Sequence, residues 1–458
     1  MSNKPVTVAV VGAGNRGTLY ASFSLKNPDL CKIVAVAEPR RRTRDVFVSQ
    51  YDIAPSNVFT DWKDFIAAGR LSDCVIISVQ DQLHTQVVQA CAPLGYHILC
   101  EKPLATSAEE CIRIADSIKN AGDIVFAIGH GETNLFFSIQ NSYHRSFLFL
   151  FLTVLRYTPY NKAIVDIIQS KVFGNPINIV HVEPVGYFHF AHSYVRGNWS
   201  REATSSFALL TKCCHDVDIL CHYFHPAVPI KVSSFGSLSH FRKSAKPTEA
   251  GTATRCLQCP YERECAYSAK KIYLEPVVKG NLGWPANVLT DGPPDIESIT
   301  QALQEGPYGQ CVYESSNDVV DHQVVNIEFS NGATASLTMV AFTEAICDRQ
   351  TRIHFPNGEI IGDMVTFTTK NFQTGEKIEH APKFEEGGNH GGGDMGLIRA
   401  FVMAVKENNN KSFLGEGNCM DHALLSHLVV FAAEKSRREG KVIDVGNFER
   451  DLRAQMGM

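Results

Sequence analysis

Along the first 130 residues, short apolar runs alternate with amphipathic stretches, and the period switches between the two as it does in a βαβ chain. Strand-like runs fall at 6–11, 33–37, 58–59, 74–79, 96–100 and 124–128. Helical spacing falls between them at 18–25, 43–51, 61–68, 85–94 and 107–121. Strands separated by single helices predict a doubly wound parallel sheet. The run at 96–100 matters most, because it stops at Glu101-Lys102-Pro103. Such a strand end leaves a carboxylate and an amine at the edge where open α/β sheets bind ligands.

What precedes that turn supplies a ligand for it. The first run ends in Gly12-Ala13-Gly14-Asn15-Arg16-Gly17, a G-x-G-x-x-G loop. Glycines at these places let the backbone turn tightly, approach a pyrophosphate and pack a helix whose N-terminus faces the phosphates, with Asn15 and Arg16 between them. The next strand ends in Glu38, where an acidic side chain would accept the ribose hydroxyls of NAD. Arg40, Arg41 and Arg42 follow, and could grip the 2′-phosphate of NADP instead, or simply begin a solvated helix. His84 follows the fourth strand at the same edge, as a cofactor contact or a polar loop residue. Glu101 and Lys102 complete the candidate cofactor and catalytic edge.

Beyond residue 130 the pattern breaks. Residues 131–153 include a Phe/Leu tract, Ser146 to Leu152, and joining His130 to Val154 restores a smooth passage. The tract reads as a translated intron of a eukaryotic gene, the alternatives being a true insertion or a membrane anchor. Its seven apolar residues fall far short of the roughly 20 that a spanning helix needs. Regular patterning resumes with a helix over 161–169 and a strand over 177–185. The stretch 186–199 is aromatic and rich in hydrogen-bonding groups. If it continues as strand, Tyr187 and His189 share one face, and together with His192, Arg196 and Trp199 they suit a polyol, which offers alternating C–H and O–H patches. His189-x-x-His192 is also a thin metal pair. A helix over 209–220 brings Lys212, His215 and Asp218 to i, i+3 and i+6, so that Asp218 could orient the His215 ring. If Lys212 lies near Lys102, each amine should depress the other's pKa.

The glycine loop, Glu38, the His84 loop, Glu101-Lys102-Pro103 and Lys212-Cys213-Cys214-His215-Asp216-Val217-Asp218 together resemble the Gfo/Idh/MocA family of nucleotide-dependent oxidoreductases. The resemblance implies a Rossmann domain over 1–130 and, over 154–458, an α+β domain with a large, mostly antiparallel open sheet. It also implies oxidation of a secondary alcohol of a sugar or polyol, or reduction of the ketone, with Lys102 and His215 near the reacting carbon, and homo-oligomers packed through the open sheet. A common family pattern has Asp four residues before the His. Thr211 stands there, so Lys212 is read as tuning or replacing that carboxylate. Redox-neutral epimerase, lyase or glycosidase chemistry on bound NAD is one alternative, and a non-catalytic dinucleotide-sensing regulator is another.

The C-terminal half adds a Cys-rich stretch, 238–311. Cys256, Cys259 and Cys265 form C-x2-C-x5-C, and Cys311 is the candidate fourth ligand of a structural zinc; unligated thiols are the alternative. Asn331-Gly332 marks a hairpin between two strands. Residues 358–363 suggest a sheet edge. His390 precedes three glycines that could close over substrate, with Asp394 capping the next helix, and 423–437 reads as the final helix. In composition the 458 residues are 44% hydrophobic and 20% charged with a net charge of -5, an ordinary globular balance that points away from nucleic-acid and membrane-surface binding. The N-terminus lacks a secretory pattern, and 14 scattered Cys suit a reducing cytosol.

Overall fold

The structure, a computed structural model, describes residues 4–129, 155–156, 158–383, 393–408 and 419–458. The 131–153 tract and His390 lie outside the described residues.

Six parallel strands build the first sheet: β1 (Val6–Val11), β2 (Cys31–Ala37), β3 (Val58–Phe59), β4 (Cys74–Ile77), β5 (His97–Cys100) and β6 (Phe126–Ile128). Their spatial order is β3-β2-β1-β4-β5-β6, the Rossmann order, so the chain reverses direction beside β1 and opens a crevice at the strand C-termini. Helices α1 (Asn15–Ala21), α2 (Phe23–Lys26), α3 (Arg41–Tyr51), α4 (Trp62–Ala67), α5 (His84–Cys91) and α6 (Ala108–Ala121) make the crossovers. In α6 the cause is legible residue by residue. The Ser107 side chain caps the Glu110 amide, acidic Glu109 and Glu110 sit in the positive first turn, and Cys111, Ile112, Ala115 and Ile118 form the buried face.

A second sheet follows, with α7 (Pro159–Ser170), β7 (Asn178–Pro184), α8 (Tyr187–Phe190), α9 (Ala208–Phe224) and β8 (Pro229–Ser237). Then come short α10 (Glu275–Val278), α11 (Ile296–Glu305), β9 (His322–Phe329), β10 (Thr334–Val340), β11 (Gln350–Phe355), β12 (Gly358–Gly362), β13 (Phe367–Asn371) and β14 (Lys377–His380). The chain ends with α12 (Gly393–Asn408), α13 (Cys419–Glu439), β15 (Ile443–Asp444) and α14 (Val445–Gln455). The nine strands run β14-β13-β12-β11-β7-β10-β9-β8-β15, antiparallel throughout except for β7 beside β10. One face alternates inward, with Ile179, Val325, Leu337 and Ile353 buried in the same core as α9; the other exposes Val180 and Phe235. The Asn331-Gly332 hairpin forms as expected, with Gly332 at φ 84°.

Four expectations need correction. Residues 186–199 do not extend β7: Gly186 turns at φ 92°, and α8 and a π-helical turn (Ala191–Arg196) follow, so Tyr187 and His189 are not on a strand face. Residues 358–363 sit inside the sheet, because β13 and β14 continue it. The helix expected over 423–437 is not the last, as β15 and α14 follow it. Asp394, expected only to cap, lies in the first turn of α12 and forms an ion pair described below. The C-terminal helices also return to the first sheet: Leu424, Leu428 and Leu452 pack into the core that holds Ile98 and Ile112. Among the described residues no helix is long and apolar enough to cross a membrane.

Candidate functional site

The glycine loop is shaped for a close-approaching anion. Gly12 adopts φ +93°, and a Cβ there would lie 2.4 Å from the Ser78 carbonyl oxygen; at Gly17 it would overlap the Gly12 carbonyl. Only glycine permits that packing of loop, β4 and α1. The α1 N-terminus, starting after Gly14, has no side-chain cap, leaving amides directed at the crevice. Glu38, at the end of β2, accepts from the Ala13 amide at 2.8 Å and from Arg40 through N, Nε and Nη2. Burial works to raise the Glu38 pKa, but these donors outweigh it and hold the carboxylate ionised. The loop, the uncapped helix and the acid therefore fit a dinucleotide, and Glu38, paired with half-exposed Arg40, stands where it could accept from the ribose.

Arg16 and His84 take different parts from those expected. Arg16 Nε donates to Glu101 Oε1 at 2.6 Å, and Nη2 to Asp394 Oδ1 at 2.7 Å, tying α1, β5 and α12 together. His84 has no exposed surface: Nδ1 meets the Pro103 carbonyl at 2.8 Å and Nε2 the Val79 carbonyl at 3.3 Å. It braces the Glu101-Lys102-Pro103 turn from behind instead of touching a cofactor. Glu101 accepts from Tyr20 and from Arg16 through Oε1, and from the Lys102 amide through Oε2 at 2.9 Å. Its pKa is pushed up by burial and brought below the usual value by Arg16, Tyr20 and that amide.

Lys102 leaves this turn and crosses to the second sheet's helices. Its Nζ donates to the Thr211 carbonyl at 2.6 Å and lies 5.4 Å from the centre of the Trp199 ring. Thr211, which replaces the expected carboxylate, thus still meets Lys102, through its backbone. Trp199 donates from Nε1 to Asp81 Oδ2 at 3.0 Å, so the loop after β4 and the aromatic segment are joined across the crevice.

Around α9 the charges are buried and paired. Lys212 Nζ lies 3.2 Å from Glu183 Oε1 and 2.8 Å from the Cys347 sulfur. Burial lowers its pKa, yet Cys347 and Glu183 outweigh burial and the net shift is upward. The expected mutual depression of two lysines does not occur at Lys212, because a buried carboxylate and a thiol stand against its amine and raise its pKa. Asp218 does not orient His215 or face substrate. It makes a bidentate pair with Arg156 at 2.6 and 2.7 Å, while Asp216 takes the expected part, 3.1 Å from His215 Nε2 and also bonded to His181 and Arg349. Burial drives the His215 pKa down to about 3 against the pull of Asp216, so the ring is neutral at physiological pH.

The aromatic wall is real but differently built. His189 Nδ1 lies 3.6 Å from the Cys347 sulfur, and Trp284 stands edge-on to both His189 and His192, with centroids 5.1 and 5.3 Å away. Burial, then the Lys212 ammonium, hold the His189 pKa well below normal. His192 stacks on Tyr308 and bonds the Tyr273 hydroxyl at 3.0 Å. Tyr187 is half-exposed against Tyr267. Arg196 faces away into the Cys-rich segment, bonding the carbonyls of Gln310 and Tyr267, and so is no substrate contact. Cys347, Glu183, Arg349, Asp394 and Trp284 were not legible as site residues. Each lies far along the chain and carries no motif; only folding brings them together.

The fold thus joins a Rossmann sheet to a second, mostly antiparallel sheet, with Lys102 at the end of β5 meeting α9 between them. Residues 6–130 match the model of the oxidoreductase family with an NAD-binding Rossmann fold. Over these residues the chain is similar to that family, Gfo/Idh/MocA, in line with the resemblance of its motifs. Among curated relatives it is 31% identical over 135 residues to 2,7-anhydro-N-acetylneuraminate hydratase of Escherichia coli, covering 30% of this chain and 34% of the relative. It is 24% identical over 219 residues to inositol 2-dehydrogenase of Rubrobacter xylanophilus, covering 46% and 50%. The chain therefore aligns with a third to a half of the length of these relatives. A solved oxidoreductase from Agrobacterium radiobacter, in complex with NAD+, L-tartaric acid and magnesium, shares the fold over 97% of this chain and 99% of its own, at TM-score 0.64 and 14% identity.

Proposed function

We propose that this protein is an NAD-dependent oxidoreductase that interconverts a secondary alcohol and a ketone on a sugar, polyol or related small molecule. The observation that carries this reading is the place of Lys102: it sits at the end of β5 beside the glycine loop, with its Nζ against α9 and the Trp199 ring. Bound nicotinamide would accept or return the hydride. Lys102 Nζ takes the hydroxyl proton in oxidation and gives it back in reduction. Lys212, held charged by Glu183, polarises the substrate oxygen without itself moving a proton. His215, neutral and held between Asp216 and Arg349, orients the substrate. His189, Trp284 and Tyr187 offer ring faces and donors to a polyol. Glu38 beside Ala13 favours a free ribose hydroxyl, hence NAD over NADP.

The test is NADH formation over a panel of inositols and glycosides, with Lys102→Ala expected to lower kcat roughly 10²–10⁴-fold while NAD binding persists. Unchanged turnover in that variant would overturn the assignment. Redox-neutral chemistry is the second reading, favoured by the hydratase among the similar proteins; it predicts substrate consumed with no net NADH. The apolar outer face around Val180 and Phe235 supports a homo-oligomer, read by light scattering.

A further inference from the structure

The segment between β8 and β9 is long and carries mostly short turns and two small helices. Its own core is a satellite of eight buried residues, among them Cys256, Ile272, Tyr273 and Leu303. So small a core seldom holds an irregular segment without a covalent or metal staple. Four thiols are placed to provide one. Cys256, Cys259, Cys265 and Cys311 all line a single cavity of about 20 Å³, and none of them is in a disulfide.

The backbone gathers them by two devices. Successive turns bring the Cys259 amide onto the Cys256 carbonyl at 3.2 Å and the Cys265 amide onto the Tyr261 carbonyl at 3.1 Å. An isolated antiparallel bridge, Arg255 to Gln310, then carries Cys311 to the same place, its amide bonded to the Thr254 carbonyl at 2.9 Å. A second observation points to an anionic occupant. Arg196 lines the cavity, is 3% exposed, and directs Nη2 at the Cys256 sulfur at 3.4 Å. Its other partners are all neutral, the Gln310 and Tyr267 carbonyls and the Tyr273 hydroxyl. Glu262, the carboxylate in the same lining, is engaged by Ser268 and Lys270, and a guanidinium buried without an anion of its own is costly. Four thiolates around a divalent cation carry a net double negative charge and would compensate it.

We propose that Cys256, Cys259, Cys265 and Cys311 bind one structural zinc ion. Each thiol releases its proton to solvent as the zinc–sulfur bonds form, giving a closed four-coordinate site with Arg196 as counter-charge. All-sulfur donors exclude magnesium and calcium as the resident ion. Among the described residues no three such side chains are already drawn into a ligand set, so the sulfurs close on the ion by side-chain rotation. The same segment presents Tyr273, Trp284 and Tyr308 to His192, so the zinc holds the aromatic wall in place.

Elemental analysis of the purified full-length chain should find one zinc per chain. Cys259→Ser and Cys265→Ser should each lose it, whereas Cys221→Ser, outside the cluster, keeps it. If the cluster variants fail to fold, the wild-type chain provides the test: an organomercurial should release zinc to a chromogenic chelator in step with titration of four thiols. Substoichiometric zinc after growth in zinc-supplemented medium, a visible iron–sulfur chromophore, or a disulfide among the four would overturn the proposal.

Discussion

Replacing Glu101 by Gln tests the junction on which Lys102 depends. Glu101 is buried and joins three elements, accepting from Arg16 and Tyr20 at 2.6 Å each and from the Lys102 amide at 2.9 Å. Glu101→Gln preserves shape, but removes the charge and turns an N–H toward the Lys102 N–H. Breaking one side of a buried ion pair costs about 3–5 kcal/mol. Arg16 keeps Asp394, and its side chain is 28% exposed, so the lower end, about 3 kcal/mol, is expected. The sign with pH follows from the lowered carboxyl pKa. The stabilisation is fully present above the unfolded value of about 4.3 and is lost as pH falls through the lower folded value. The difference between wild type and variant should therefore be constant from pH 7 to 5 and shrink below about 4.3. Urea denaturation at a series of pH values, followed by near- and far-UV circular dichroism, measures it. A variant within about 0.5 kcal/mol of wild type at pH 7, or a pH-independent difference, would refute the reasoning.

Gly12→Ala places a methyl 2.4 Å from the Ser78 carbonyl at φ +93°. The left-handed backbone alone costs about 1–2 kcal/mol, and relieving the overlap displaces the loop, so NADH affinity by fluorescence titration should fall more than about tenfold. His192, its pKa lowered to about 4 first by burial and then by Arg196, is neutral when folded. Unfolding takes up a proton between pH 6.5 and 4, so stability falls as pH drops through that window, by roughly 1.4 kcal/mol per unit. His192→Asn should be less stable at pH 7 through lost stacking on Tyr308 yet show a flatter slope from pH 6.5 to 4.5; an unchanged slope would count against the buried neutral ring.

The Rossmann half was legible because its signals are local. Glycine spacing, the acid at the end of β2 and the period switch depend on neighbours a few residues apart, and each lies where expected. Residues 186–199 were misread because alternation of Tyr187 and His189 fits a strand as well as it fits aromatic residues on a turn of helix, and Gly186 at positive φ decides between them. Asp218 was paired with His215 on helical spacing. Arg156 claims Asp218, leaving Asp216, one residue from the His, to reach His215, His181 and Arg349.

By itself, then, the sequence determined the resemblance to Gfo/Idh/MocA proteins, the parallel sheet, the glycine loop and the lysine at the end of β5. Tertiary structure alone decided which buried charges meet: Glu183 and Cys347 with Lys212, Asp394 with Arg16, Asp216 with His181 and Arg349. The physical reason is that such pairings follow from strand register and helix packing between distant segments, and a buried charge takes as its partner whichever opposite group the fold brings within a few ångströms.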